Sequence, residues 1–166
     1  AISEFTPIVM CVNQADYANA KAVFEQDESV TVLEMTTDDA WFRDTGATYV
    51  INDAGEVRAN HWHFNAYGGF YDGLYFPWDK DEQIALKMAE FSGVRRYRPD
   101  SLILEGGSIT VDGEGTCVVT DMCLLSPGRN ASVSDLEPWS EELRRYMDEQ
   151  LAKYLNVEKI IWVKDG

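Results

Sequence analysis

Apolar positions along this chain come in short runs broken by turn residues, with three helical stretches among them. PIVMCV (7–12) is a continuous apolar run and predicts a buried strand. SVTVLEM (29–35), which carries Glu34 near its end, predicts a second strand, and KIIWV (159–163) another. Between the first two, NQADYANAKAVF (13–24) predicts a helix with Asn13 as its cap. From 48 to 64 the chain predicts a hairpin turning at Asp53-Ala54-Gly55. Its second arm alternates Val57, Ala59, His61 and His63 on one face with Arg58, Asn60, Trp62 and Phe64 on the other. AYGGFYDGLYFPWD (66–79) is too rich in glycine and aromatic residues for a regular element and predicts a folded loop.

Helical spacing returns in DKDEQIALKMAEF (79–91), where Asp79 and Glu82 have the separation of a capping box and Ile84, Met88 and Phe91 form the apolar stripe. Residues 101–121 predict a strand ending in Glu105, a break at Gly106-Gly107, and a hairpin about Gly113-Glu114-Gly115. The stretch 138–155 predicts a helix with Leu143, Met147, Leu151, Tyr154 and Leu155 on one face.

Helix, strand ending in Glu, acidic or glycine-rich segment, then hairpin: that order occurs twice, with the hairpin turns about sixty residues apart and Glu34 and Glu105 in matching places. A third helix and strand begin another copy. Modules of this kind bury their faces against neighbours, so two modules and the start of a third predict an α/β array with open edges, truncated at both ends of 1–166.

Composition narrows the partners. At 166 residues, 45% hydrophobic and 12% aromatic, the chain has the material for a packed core. Its formal charge of −15, from 29 acids and 14 bases, disfavours nucleic acid and anionic membrane as partners and suits a cationic ligand. No secretory segment and no apolar span of membrane length is present, which predicts a cytoplasmic protein. Cys11, Cys117 and Cys123 have no metal-like spacing, and the first and second lie in apolar runs as buried, inert thiols.

Chemistry concentrates in EMTTDDAWFRDTG (34–46), where Glu34, Asp38, Asp39 and Asp44 surround Trp41 and Arg43. A guanidinium is planar, cationic and rich in donors; carboxylates match it with charge-assisted bonds, and an indole supplies a stacking wall. Asp44 with Trp41 suits such a ligand, and a surface network of Arg43 with the neighbouring acids is the alternative. Glu105, ahead of two glycines, either lines a cavity and acts on protons or makes a structural hydrogen bond to the loop. His61 and His63 have metal-pair spacing but no evident third ligand. DGEGT reads as a turn rather than a calcium loop, and GGFYDG lacks the lysine and context of a phosphate loop.

These stretches resemble a known family. DDAWFRDTG, FNAYGG, GLYFPWDKD, LEGGSI followed by VDGEGT, CLLSPGRN and YLNVEKIIWVKDG run in the order of the agmatine deiminases, within the Porphyromonas-type peptidylarginine deiminase group of the guanidino-group modifying superfamily. The resemblance covers nearly the whole chain. It implies a five-module α/β propeller, pentein-like, with the active site on its axis. It also implies cofactor-free and metal-free hydrolysis of agmatine to N-carbamoylputrescine and ammonia, in putrescine biosynthesis. In that chemistry a Cys thiolate attacks the guanidinium carbon, a His moves protons and two Asp residues clamp the guanidinium. By resemblance Asp44 is the first clamping Asp, Glu105 the acid beside the catalytic His, and Trp41 the aromatic wall of the substrate channel. The sequence departs from the family at His61, where an Asp is usual, and at Tyr67, where a Trp is usual.

The resemblance places the catalytic His and the nucleophilic Cys outside 1–166, so this stretch alone is expected to be inactive. The readings that stay open are a deiminase of arginine or peptidyl-arginine and a non-catalytic binding module of the same fold. The absence of a basic cluster near the motifs favours agmatine, which has no α-carboxylate. Homo-oligomerisation is left open.

Overall fold

The computed structural model describes residues Ile2–Lys164. The chain divides between Ala40 and Trp41 into two compact units. That division falls inside the acidic stretch: Glu34, Asp38 and Asp39 belong to the first unit, and Trp41, Arg43 and Asp44 to the second.

In the first unit, strand β1 (Ile8–Val12) pairs in parallel with β2 (Val30–Glu34), in register from Ile8 opposite Val30 to Val12 opposite Glu34. A parallel pair needs a crossover, and α1 (Tyr17–Val23) supplies it after a 3-10 turn at Gln14–Asp16. Asn13 precedes that turn as expected, but its side chain does not cap it. Its Oδ1 instead accepts the Thr37 amide at 2.9 Å and ties down the chain after β2.

The second unit repeats one topology. After the one-turn helix α2 (Phe42–Thr45), β3 (Thr48–Ile51) and β4 (Val57–Asn60) form the predicted hairpin. The short helix α3 (Gly69–Asp72) and then α4 (Ile84–Phe91) lead to β5 (Arg95–Tyr97), which lies parallel to β4. In the same way β6 (Ile109–Val111) and β7 (Thr116–Thr120) form a hairpin. The short helices α5 (Asp121–Leu124) and α6 (Asn130–Ser134) and the long α7 (Glu141–Leu155) then return the chain to β8 (Lys159–Val163), parallel to β7. Hairpin, helix, parallel strand is therefore the repeating unit, and the chain is α/β as expected. Among the described residues the sheets are one pair and two triplets, none of them closed.

Helix α7 follows its apolar stripe. Leu143, Met147 and Leu151 are fully buried, with Tyr154 and Leu155 packed at the edge of the same cluster beside Trp62, Leu102, Leu104 and Val119. Ser140 starts the helix by accepting the Leu143 amide at 3.1 Å, and Asn156, in the left-handed conformation, ends it.

Three expectations change. The helix over 79–91 begins at Ile84, after a 3-10 turn at Asp81–Gln83, and no capping box forms. Glu82 is taken instead by the Arg98 guanidinium and by His63, a stronger charged pairing than an amide cap. The buried face is Ile84, Ala85 and Ala89, while Phe91 is exposed, because the helix closes right after it. The Val94 amide bonds back to the Ala89 carbonyl and the Gly93 amide to Glu90, with Gly93 left-handed at φ 64°.

The alternation over 57–64 gives way to burial on both faces. Ala59, Asn60, His61, Trp62 and Phe64 are all buried, because one face meets the core cluster and the other meets the 82–84 turn. Lastly, the strand expected over 101–105 is reduced to one bridge, His63 with Ile103, because Ser101 is a left-handed turn residue at φ 56°; the ladder of β4 and β5 breaks after Tyr97 and resumes at that bridge. Glu105 thus ends an interrupted strand and opens a 3-10 turn at Gly106–Ser108.

Candidate functional site

Trp41 stands at the start of α2, where its carbonyl accepts the amides of Asp44 (3.0 Å) and Thr45 (3.1 Å). One helical turn thus sets the indole and the Asp44 carboxylate three residues apart, and the indole is 61% exposed. Helix α2 lies directly on the Gly106-Gly107 turn. A Cβ at position 106 would stand 2.0 Å from the Arg43 carbonyl oxygen, and one at 107 would stand 2.3 Å from Asp44 Oδ1. The two glycines therefore permit a close approach here, as the sequence suggested at this break. Arg43 lays its guanidinium across the same turn and donates to the Ile109 carbonyl at 3.0 Å.

Through this approach Asp44 and Glu105 become neighbours. Asp44 Oδ1 accepts the Gly107 amide at 2.8 Å, and Oδ2 accepts the Tyr67 hydroxyl at 2.8 Å. Glu105, two residues before Gly107, is 3% exposed. Its Oε1 accepts from Arg129 Nε at 3.1 Å, and its Oε2 is buried without a partner. Burial pushes the Glu105 carboxyl above the ordinary range, against the pull of Arg129, and the negative charge of Asp44 adds to the rise.

Neither acid sits on a regular strand: Asp44 is on a helical turn, and Glu105 precedes a 3-10 turn. The pairing of Glu34 with Glu105 by repeat position does not extend to their surroundings, since Glu34 is exposed at the end of β2.

Two participants escaped the sequence reading. Arg129 lies in the CLLSPGRN stretch, where nothing in the local sequence marks it. It follows Gly128, where a Cβ would meet Asp72 and the Gly68 backbone, and it precedes Asn130, which is pinned to both backbone groups of Ile103. Arg129 places its Nη1 3.8 Å from Asp72 while Nε holds Glu105. Arg129 is thus a single cation committed to acids, not a basic cluster. Tyr67 was noted only as a departure from a pattern. No local spacing signals either residue, because both act on acids more than twenty residues away.

His61 and His63 meet arginines. His61 is fully buried; Nδ1 accepts from Arg96 at 2.8 Å, so Nε2 carries the proton and donates to the Glu82 carbonyl at 2.8 Å. Burial holds the His61 ring below its usual pKa, and the nearby Arg98 and Arg96 charges lower it further, against the Glu82 carbonyl bond. His63 Nδ1 lies 2.9 Å from Arg98 Nη2 and 3.2 Å from Glu82 Oε1. Among the described residues no three His, Cys, Asp or Glu side chains group to hold a metal ion, and no helix is long and apolar enough to cross a membrane. Burial raises the thiol pKa of Cys11 and of Cys117, which suits inert thiols.

Fold and site together describe a repeated α/β protein in which an exposed indole, a braced carboxylate and a buried carboxylate lie along one glycine-rich turn. The Porphyromonas-type peptidyl-arginine deiminase family matches residues 1–166, and the chain belongs to that family. It is 47% identical over 166 residues to the agmatine deiminase of Ectopseudomonas mendocina (strain ymp), covering 100% of this chain and 42% of the relative. The agmatine deiminase of Pseudomonas aeruginosa (strain LESB58) gives the same identity and coverage. Among solved structures, the agmatine deiminase of Enterococcus faecalis superposes with a TM-score of 0.88 at 48% identity, over 99% of this chain and 42% of that one. A cysteine-to-serine C. jejuni agmatine deiminase with substrate bound superposes with a TM-score of 0.79 at 29% identity, over 99% of this chain and 44% of that one. The chain thus spans well under half the length of these relatives.

Proposed function

We infer that this chain is the part of an agmatine deiminase that holds one side of the guanidinium, in a five-module propeller of which 1–166 carries about two modules and part of a third. The observation that carries the reading is the Asp44 carboxylate, held on both oxygens by Gly107 and Tyr67 beside the exposed Trp41 and the buried Glu105. An ionised carboxylate has about four acceptor positions. The two in use fix its orientation and leave two for guanidinium N–H groups. Trp41 supplies a flat wall for the same cation.

Glu105 is the proton-side group. Its unpartnered Oε2 is an acceptor for a catalytic His contributed by residues beyond this stretch. The nucleophile is a Cys thiolate from the same remainder: it adds to the guanidinium carbon, ammonia leaves carrying a proton delivered by the His, and water then releases the carbamoyl product and regenerates the thiol. Cys11, half-buried, and Cys117, buried, fit this assignment, since burial raises both thiol pKa values and disfavours the thiolate a nucleophile needs. The C. jejuni cysteine-to-serine agmatine deiminase carries bound substrate, which supports a thiol that is not required for binding in that protein.

Agmatine is favoured over arginine or peptidyl-arginine. An α-carboxylate would call for a free cation near the acids, and Arg129 is committed to Glu105 and Asp72. Residues 1–166 alone bind the guanidinium from one side and turn over nothing. A cytoplasmic place in polyamine synthesis follows from the same reading.

The test is ammonia release from agmatine, arginine and a peptidyl-arginine by the full-length protein and its Asp44→Asn variant. Agmatine is the substrate turned over best, and the variant loses about one to two decades in kcat/KM, as expected for the loss of a hydrogen bond to a charged group. Turnover of agmatine by Asp44→Asn at the wild-type rate would refute the clamp.

A further inference from the structure

We propose that Tyr67 is a positioning residue for Asp44, and that the strained turn carrying it exists to deliver its hydroxyl to that carboxylate. This rests on the reading of Asp44 as the guanidinium acceptor. Ala66, Tyr67, Gly68 and Gly69 have consecutive positive φ angles of 53°, 70°, 151° and 60°. Gly68 and Gly69 accept such angles readily; Ala66 and the bulky Tyr67 do so only where their surroundings impose it.

Those surroundings are visible. Asn65 works in both directions: its Oδ1 accepts the Gly68 amide at 3.1 Å, and its Nδ2 donates to the Gly128 carbonyl at 2.8 Å. The Gly69 amide bonds to the Asn65 carbonyl at 2.7 Å, and the Leu74 amide closes the loop on the Ala66 carbonyl at 2.8 Å. The Tyr67 ring stands edge-on to buried Phe64 at 5.3 Å between centroids. The side chain is thus fixed at the ring and at the backbone, and its hydroxyl ends 2.8 Å from Asp44 Oδ2. Gly107 holds the other oxygen at 2.8 Å, so the carboxylate is clamped between an amide and a phenol before any substrate arrives.

Arg129 extends the same brace. It lies beside Gly128, which Asn65 holds, and it bonds Glu105 while facing Asp72 of the same loop. One loop, 65–72, thereby sets the position of both acids.

The experiment is a double-mutant cycle on the full-length protein, with amide exchange of Gly107 as a readout independent of turnover. Tyr67→Phe keeps the ring and its packing on Phe64 and removes only the hydroxyl. It should lower kcat/KM for agmatine about 10- to 100-fold, the range set by losing a hydrogen bond to a charged group. In an Asp44→Asn background the same change should cost less than about twofold, because the carboxylate it serves is gone. Gly107 is exposed and its amide is bonded to Asp44, so its exchange should speed up in Tyr67→Phe. Equal losses in both backgrounds, with Gly107 exchange unchanged, would overturn the proposal and reduce Tyr67 to loop packing. A wild-type protein that releases no ammonia from agmatine, but whose Gly107 exchange still responds to Tyr67→Phe, would uphold the positioning role while the agmatine reading falls.

Discussion

Gly107→Ala and Gly106→Ala separate the site from the fold within one dipeptide. At position 107 the added methyl would stand 2.3 Å from Asp44 Oδ1 and 3.4 Å from its Cγ. The atom in the way is the end of a side chain, so the fold accommodates the methyl by turning the carboxylate out of place. That breaks the bond from the Gly107 amide and strains the one from Tyr67. Losing one charge-assisted bond is worth about 1.5–3 kcal/mol, or about one to two decades in kcat/KM. Melting temperature should fall by less than the lost bond alone implies, because replacing Gly by Ala restricts the unfolded chain by about 0.4–1 kcal/mol and offsets part of it.

At position 106 the methyl would stand 2.0 Å from the Arg43 carbonyl oxygen, a backbone atom of α2 that cannot rotate away. Overpacking of this kind costs about 1–3 kcal/mol and lowers Tm, by less per kcal/mol in a larger protein than in a small domain. Thermal melts and agmatine turnover of both variants, in the full-length protein, read the two effects separately. Gly107→Ala with wild-type kcat/KM would refute the claim that this amide sets the working position of Asp44. Gly106→Ala with an unchanged Tm would refute the close approach of α2.

Two pH effects follow from buried groups. Glu105 has its pKa raised above its ordinary value of 4.5, so between the unfolded and folded values the folded state binds more protons; its contribution to stability is full below 4.5 and is lost as pH rises through the folded pKa. Denaturant midpoints from acid to neutral pH should fall less in Glu105→Gln than in wild type, and parallel profiles would count against the shift. His61 is shifted the other way: with its pKa lowered from 6.5, its contribution is present above 6.5 and is lost as pH falls from there through the folded pKa. His61→Gln should therefore flatten the wild-type loss of stability on the acid side of 6.5, and an equal slope in both proteins would place the proton elsewhere.

What local pattern encodes was legible in the sequence. Short apolar runs marked β1, β2 and β8, glycine-bearing turns marked the two hairpins, and the spacing of Leu143, Met147 and Leu151 marked α7. These features depend on residues within one or two turns of each other, so periodicity alone determines them. Asp44, Trp41 and Glu105 were also legible as candidates, since acids beside an indole and a Gly-Gly break are local patterns.

Tertiary structure alone decided what these residues touch. Glu82 has capping spacing, yet it pairs with Arg98 and His63, because a guanidinium from just past β5, 16 residues along the chain, makes a stronger bond than a local amide. The Asp44 carboxylate is oriented by Tyr67 and Gly107, which lie 23 and 63 residues further along the chain, and Glu105 is held by Arg129, 24 residues away. The raised carboxyl of Glu105 comes from burial, which no property of the Glu-Gly-Gly triplet specifies. The sequence by itself determined which groups were available. Their pairing waited on the packing of α2 against the Gly106-Gly107 turn, because hydrogen bonds over these separations form only once the backbone has brought the partners within about 3 Å.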